Sequence, residues 1–210
     1  MASFEPAGDG APTTEGAATP PVEAMVIGGD VERALSILRP RDDEAVRLAF
    51  PPGVVEVATY RGWWETVIFR SEGLVAGPPP VTVPAGELEA CVRGVPMYVT
   101  LTEEAGALSV SGWPIAGVDP LPAPPVAQAL TQGVDVDVPM LGTNPYEAVL
   151  IDIDRGGRKA WVPRDLVQRL VLRDIRVARV FSTAPGTWFL SGVQPDETHP
   201  VAVAGSIRVY

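Results

Sequence analysis

The chain has 210 residues, 46% of them hydrophobic, which is enough for one large core or two small ones and excludes a wholly disordered protein. A formal net charge of -10 excludes a chain that coats itself in nucleic acid or anionic lipid, although it leaves room for a local basic face. Cys91 is the only cysteine, so no intrachain disulfide forms, and no apolar run approaches the ~18 residues of a membrane span; a cytoplasmic protein with no membrane partner is expected.

Residues 1–21 are mostly Ala, Gly, Pro, Thr and acidic residues. They offer little apolar surface against the entropy of ordering and read as a disordered tail. Glu23 to Ile27 reads as a strand ended by Gly28-Gly29. Asp30 stands as the N-cap of a helix whose Val31, Ala34, Leu35 and Leu38 fall at helical spacing until Pro40. Ala45 to Phe50, Val54 to Tyr60 and Trp63 to Phe69 follow as antiparallel strands around the turns Pro51-Pro52-Gly53 and Arg61-Gly62. The unit is a strand, a helix and three strands.

After a Gly- and Pro-rich break the same order returns. Val81 to Val83 is the leading strand, Gly86 to Arg93 a short helix, and Val95 to Thr102, Gly106 to Gly112 and Ile115 to Val118 are strands. Thus 22–118 are expected to hold two units, joined by a Pro-rich linker, 119–133, in which Val126 to Leu130 form a helical turn. A second domain, 134–210, opens with Val134 to Val138 and Ala148 to Asp154, both alternating apolar with acidic residues. No amphipathic helix is visible between them, so this half-unit is expected to lack its helix. Gly156-Gly157 turns the chain into a last full unit: strand Arg158 to Val162, helix Arg164 to Leu172, and strands Ile175 to Ser182, Thr187 to Ser191 and Pro200 to Tyr210, with Gly205 placed for a bulge.

A shared spacing ties these units together. Apolar residues fall five, eight and nine positions after an anchoring valine: Val31, Ala34 and Leu35 after Val26; Leu88, Cys91 and Val92 after Val83; Val167, Leu170 and Val171 after Val162. Repeats found first constrain the fold before any single side chain is interpreted.

Common catalytic chemistry finds little support. One histidine, His199, cannot build a multi-histidine metal site, reads as a surface loop residue, and no phosphate-binding glycine motif occurs. Asp135, Asp137, Asp152 and Asp154 would form a carboxylate cluster if their strands paired; a solvated sheet face is the plainer account, and no cofactor is expected. Cys91, at a repeated apolar position, reads as a structural thiol, and the five tryptophans as core and sheet-face packing. The basic cluster is more pointed. Arg158, Lys159, Arg164, Arg169, Arg173 and Arg176 surround one helix, along with Arg155 and Arg179. Arg169 and Arg173 share a face opposite Val167, Leu170 and Val171, suited to phosphate or an acidic protein.

The repeated unit resembles the DNA sliding clamp family. The likeness is carried by Val81-Thr82-Val83-Pro84-Ala85-Gly86-Glu87-Leu88 with Val99 to Val110, and by Trp161-Val162-Pro163-Arg164-Asp165-Leu166 with Val177 to Leu190 and the ending Pro200 to Tyr210. It implies an α+β fold of βαβββ units with mostly antiparallel sheet, in which sheets form the outside of a ring and short helices line its hole. It further implies a non-catalytic homo-oligomer that binds double-stranded DNA or replication proteins, with the six basic residues above as the DNA contacts. The second helix departs from that pattern, because Glu87 and Glu89 outnumber Arg93 where a basic face is wanted. A protein-interaction module with no DNA role, such as an immunity, phage-associated or regulatory protein, is the other reading.

Overall fold

The computed structural model describes residues 22–72, 74, 77–104, 106–125, 133–142, 148–153, 157–194 and 198–210. The expected tail (1–21), the helical turn at 126–130, and Asp154, Arg155 and Gly156 lie outside the described residues.

The first unit comprises β1 (Glu23–Ile27), α1 (Gly28–Leu38), β2 (Ala45–Ala49), β3 (Val54–Tyr60) and β4 (Trp64–Arg70). The second comprises β5 (Val81–Pro84), α2 (Ala85–Val92), β6 (Tyr98–Glu104), β7 (Ala107–Val110) and β8 (Trp113–Ile115). The third has only β9 (Val134–Asp137), α3 (Val138–Gly142) and β10 (Ala148–Asp152). The fourth has β11 (Lys159–Pro163), α4 (Arg164–Leu172), β12 (Val177–Ala184), β13 (Thr187–Val193) and β14 (Val201–Val209). The chain is therefore α+β with repeated strand-helix-strand units and antiparallel sheets.

The first strand of each unit crosses to its neighbour. β5 joins β2-β3-β4, and β1 joins β6-β7-β8; likewise β9 joins β12-β13-β14, and β11 pairs β10. Each helix starts two residues after its anchor, because the buried valine must enter the sheet before the chain turns. Val31, Leu88, Val167 and Leu141, five residues after Val26, Val83, Val162 and Val136, are all buried. Each such side chain removed from water contributes about 2 kcal/mol.

The structure corrects several expectations. The third unit does have a helix, α3, of 5 residues; what it lacks is its last two strands. Val136 and Leu141 repeat the five-residue offset that marks the other helices. Asp30 is not an N-cap: α1 starts at Gly28, where a Cβ would lie 2.6 Å from the Val95 carbonyl oxygen, and Asp30 sits in the first turn, favourable to the helix dipole. Val171 is exposed, and Leu166 takes its place against the core. Gly205 makes no bulge, since β14 keeps one register with β13 from Trp188↔Ile207 to Val193↔Ala202. Its role is close approach: a Cβ there would stand 2.7 Å from the Leu166 Cδ2. The closing strand of the second unit is Trp113–Ile115 rather than Ile115 to Val118.

The last strand of the first unit also pairs with the last strand of the fourth. β4 and β14 run antiparallel from Val201↔Val67 to Ala204↔Trp64, so one sheet continues across both ends of the chain. Trp64, Ala58 and Ala204 form a small apolar cluster there, with Leu121 packed against it.

Candidate nucleic-acid interface

The β4 and β14 seam is where the charged residues converge. Glu65 lies on β4 opposite Thr59 and Val203 and is only 1% exposed. A carboxylate so placed needs partners, because a bare buried charge is costly. Arg169 of α4 and Arg173 at its C-cap supply them: Arg169 Nη2 donates to Glu65 Oε2, and Arg173 Nε donates to Oε1 at 2.8 Å. Arg173 Nη2 also donates to the Ile37 carbonyl at 2.8 Å, near the negative end of α1. The face shared by Arg169 and Arg173 thus rivets the fourth unit to the first.

A second carboxylate continues the network. Arg61 Nε and Nη2 donate to the two oxygens of Glu44 at 2.7 Å each, and Nη2 donates to the Arg39 carbonyl at 3.0 Å. Burial pushes the Glu44 carboxyl up, but the Arg61 hydrogen bond, the Arg41 backbone N–H and both guanidinium charges outweigh it and hold the group below its ordinary value. The hydrogen bond from Arg61 to Glu44, outweighing burial, holds the guanidinium above its own ordinary value.

Between α1 and α4 this arrangement leaves a groove of about 580 Å³ lined by Arg33, Ser36, Ile37, Arg39, Arg169, Leu172 and Arg173. Four arginines and no acid line it. Arg33 and Arg39 are exposed, and among the described residues the buried Nε of Arg169 has no hydrogen-bond partner. Arg39 caps α1 in the left-handed conformation (φ 49°, ψ 55°), which ends the helix and carries the chain on to Pro40. Next to it lies a cleft of about 690 Å³ lined by Arg39, Arg41, Asp43, Glu44, Tyr60 and Arg61.

The six expected contacts separate. Arg169 and Arg173 meet in the groove, and Arg164 opens the same helix, half-buried. Arg158 lies over the Trp188 ring at 5.6 Å, Lys159 is exposed on β11 opposite Asp152, and Arg176 pairs with Asp174 at 3.2 Å. None of these last three lines the groove. Arg33 and Arg39 are not singled out by the sequence because Glu32, directly before Arg33, makes the charge of that helix read as mixed. Glu65 was legible only as an acid inside the apolar run Trp64–Arg70.

Other candidates fall away. β9 pairs with β12 and β10 with β11, so Asp135 and Asp137 are not set beside Asp152 on paired strands; Asp135 instead pairs with Arg179 at 2.7 Å, and that hydrogen bond holds its carboxyl below the ordinary value. Among the described residues no group of three His, Cys, Asp or Glu side chains is arranged to hold a metal ion. His199 is not a solvated loop residue, since it packs against Phe69 and comes within 3.2 Å of Asp30. Cys91 is partly buried against the core, and burial pushes its thiol up, away from reactivity. Trp113 and Trp161 are exposed rather than packed in the core. No helix among the described residues is long and apolar enough to cross a membrane.

The outer side of the seam carries an aromatic cleft of about 350 Å³, lined by Tyr60, Trp64 and Phe189 together with Pro122 and Pro125.

Known structures place this architecture in one class: the fold is that of the DNA polymerase sliding clamps. The clamp of Bacillus subtilis superposes with a TM-score of 0.55 at 9% identity, covering 90% of this chain and 65% of that one. The polymerase III beta chain of Streptococcus pneumoniae gives 0.53 at 9% identity, again covering 90% and 65%. The Helicobacter pylori beta clamp, solved with a DNA ligase peptide, gives 0.53 at 10% identity, covering 88% and 66%. The chain thus spans about 65% of the length of these clamps. No family model and no curated protein sequence matches it.

Proposed function

We propose that this chain is a non-catalytic, clamp-like protein that assembles with further copies through sheet edges and binds the backbone of double-stranded DNA along the α1 and α4 groove. The observation that carries this reading is the groove itself: four arginines on the helix side of a clamp fold, on a chain whose net charge is -10. Planar guanidinium groups suit phosphate oxygens, and phosphate neutralisation is rewarded by counterion release. Arg33 and Arg39 make the freer contacts, while Arg169 and Arg173 share their charge with Glu65. Arg164 lies along the same helix, and Arg158, Lys159 and Arg176 are peripheral to this surface.

A second reading, a protein-interaction module, is favoured by the aromatic cleft. Extended peptides bind grooves that combine aromatic walls with backbone edges, and the Helicobacter pylori clamp was solved with a peptide of DNA ligase.

Fluorescence anisotropy with a labelled duplex separates the two. The DNA reading expects binding that weakens steeply with salt, and loss of about two units of log-log salt slope in the double variant Arg33→Glu, Arg39→Glu. Absence of duplex binding in 50 mM salt at micromolar protein, by ~50 μM, would overturn it.

A further inference from the structure

By position in the repeat, β10 is an interior strand. Its counterparts β2, β6 and β12 each pair on both sides: β2 with β5 and β3, β6 with β1 and β7, β12 with β9 and β13. Among the described residues β10 pairs only with β11, because the two strands that follow in the other units are missing.

Register makes the comparison residue by residue. The anchors Val83, Val26 and Val162, buried, and Val136, partly buried, pair with Val46, Val99, Val149 and Ala178 respectively, all four of these partners buried. One residue further on, facing outward, stand Arg47, Thr100, Arg179 and Leu150. The first three are half-buried polar residues, whereas Leu150 is 47% exposed and lies opposite Trp161, itself 49% exposed. An apolar pair beside an open edge is what sheet proteins otherwise avoid. Of the other edges, β8 contains Pro114, β9 carries Asp135 and Asp137, and β5 is capped by the Val118 N–H and by the Leu121 N–H on the Thr82 hydroxyl; on β1 the Ser71 hydroxyl donates to the Met25 carbonyl, although Met25 and Ile27 are exposed there.

We propose that the outer edge of β10 is the binding site for a second copy of this chain, the two β10 strands pairing antiparallel about a twofold axis. The fit is in the strand count. β1-β6-β7-β8, β5-β2-β3-β4 and β9-β12-β13-β14 each run four strands in a row, while β10 and β11 are two short of that number, β11 meeting β14 on its other side only through Ala160↔Val209 and Trp161↔Arg208. A second copy supplies the missing two, giving β11-β10-β10-β11. Centred on Leu150, this register lines up Trp161, Leu150, Leu150 and Trp161 on one face and sets each Asp152 opposite Ala148 of the partner subunit, so like charges do not meet.

The inference rests on assembly through sheet edges in the reading above and names the edge. Light scattering and sedimentation equilibrium of the full chain test it. The expected species is a dimer, weakened by about tenfold or more in Leu150→Lys, where two charges face each other across the axis, and unaffected by Trp113→Asp on β8. A monomer at every concentration, a dimer indifferent to Leu150→Lys, or an assembly of three or more copies dissolved by Trp113→Asp overturns it. Duplex binding is measured separately on each variant: a monomer that binds DNA sinks the assembly and leaves DNA binding standing, an assembly that ignores Leu150→Lys sinks this inference alone, and a dimer without DNA affinity sinks only DNA binding.

Discussion

Arg169 stands in α4 and Arg173 at its C-cap, with Arg176 three residues beyond, yet the seam and the turn use the same side chain differently. At the seam two guanidinium groups close on a carboxylate that is 1% exposed. At the turn Arg176 and Asp174 pair at 3.2 Å while 73% and 76% exposed. Burial decides what an ion pair is worth: once a carboxylate leaves water, removing its partners strands a charge, whereas solvated partners part at little cost. A run of arginines is therefore not one feature. Part of the basic character of α4 is structural, and the DNA reading depends more on Arg33 and Arg39.

Three substitutions put that contrast under strain. Glu65→Ala strands two arginines at once and is expected to cost about 3 kcal/mol, toward the low end because both retain some water. Thermal unfolding should fall by about 6–12 °C, and a drop of less than ~2 °C would mean that the seam is held by its strands alone. Glu44 gives an intermediate, pH-dependent effect. Its folded pKa is depressed, so its contribution is present above the unfolded value and is lost as pH falls through the folded one, in the acid range below about pH 4.3. Wild type should accordingly outlast Glu44→Gln at neutral pH and lose that advantage as the pH falls below the ordinary glutamate range, as read from the melting temperature across the range. Arg176→Ala is expected to change stability by less than about 0.5 kcal/mol, and urea unfolding that shows a larger loss would give the turn a structural weight the geometry denies it.

Much of the fold was legible in order of appearance. The spacing after Val26, Val83 and Val162 was readable because a short helix packed on a sheet must repeat its apolar positions wherever the unit recurs. α3 escaped notice because 5 residues carry too little periodicity, although Val136 and Leu141 kept the offset. The candidate site was half legible. Arg169 and Arg173 were placed together from their spacing, but their engagement with Glu65 was not, since 104 and 108 residues separate the partners.

The sequence by itself determined the repeated unit and the supply of one cysteine and one histidine, because each follows from composition or local spacing. Tertiary structure alone decided the exchange of first strands between units, the β4 and β14 seam, the split of the arginines between rivet and groove, and the open edge of β10. These all depend on pairings between distant segments, and strand hydrogen bonds carry no sequence label of the partner they will meet.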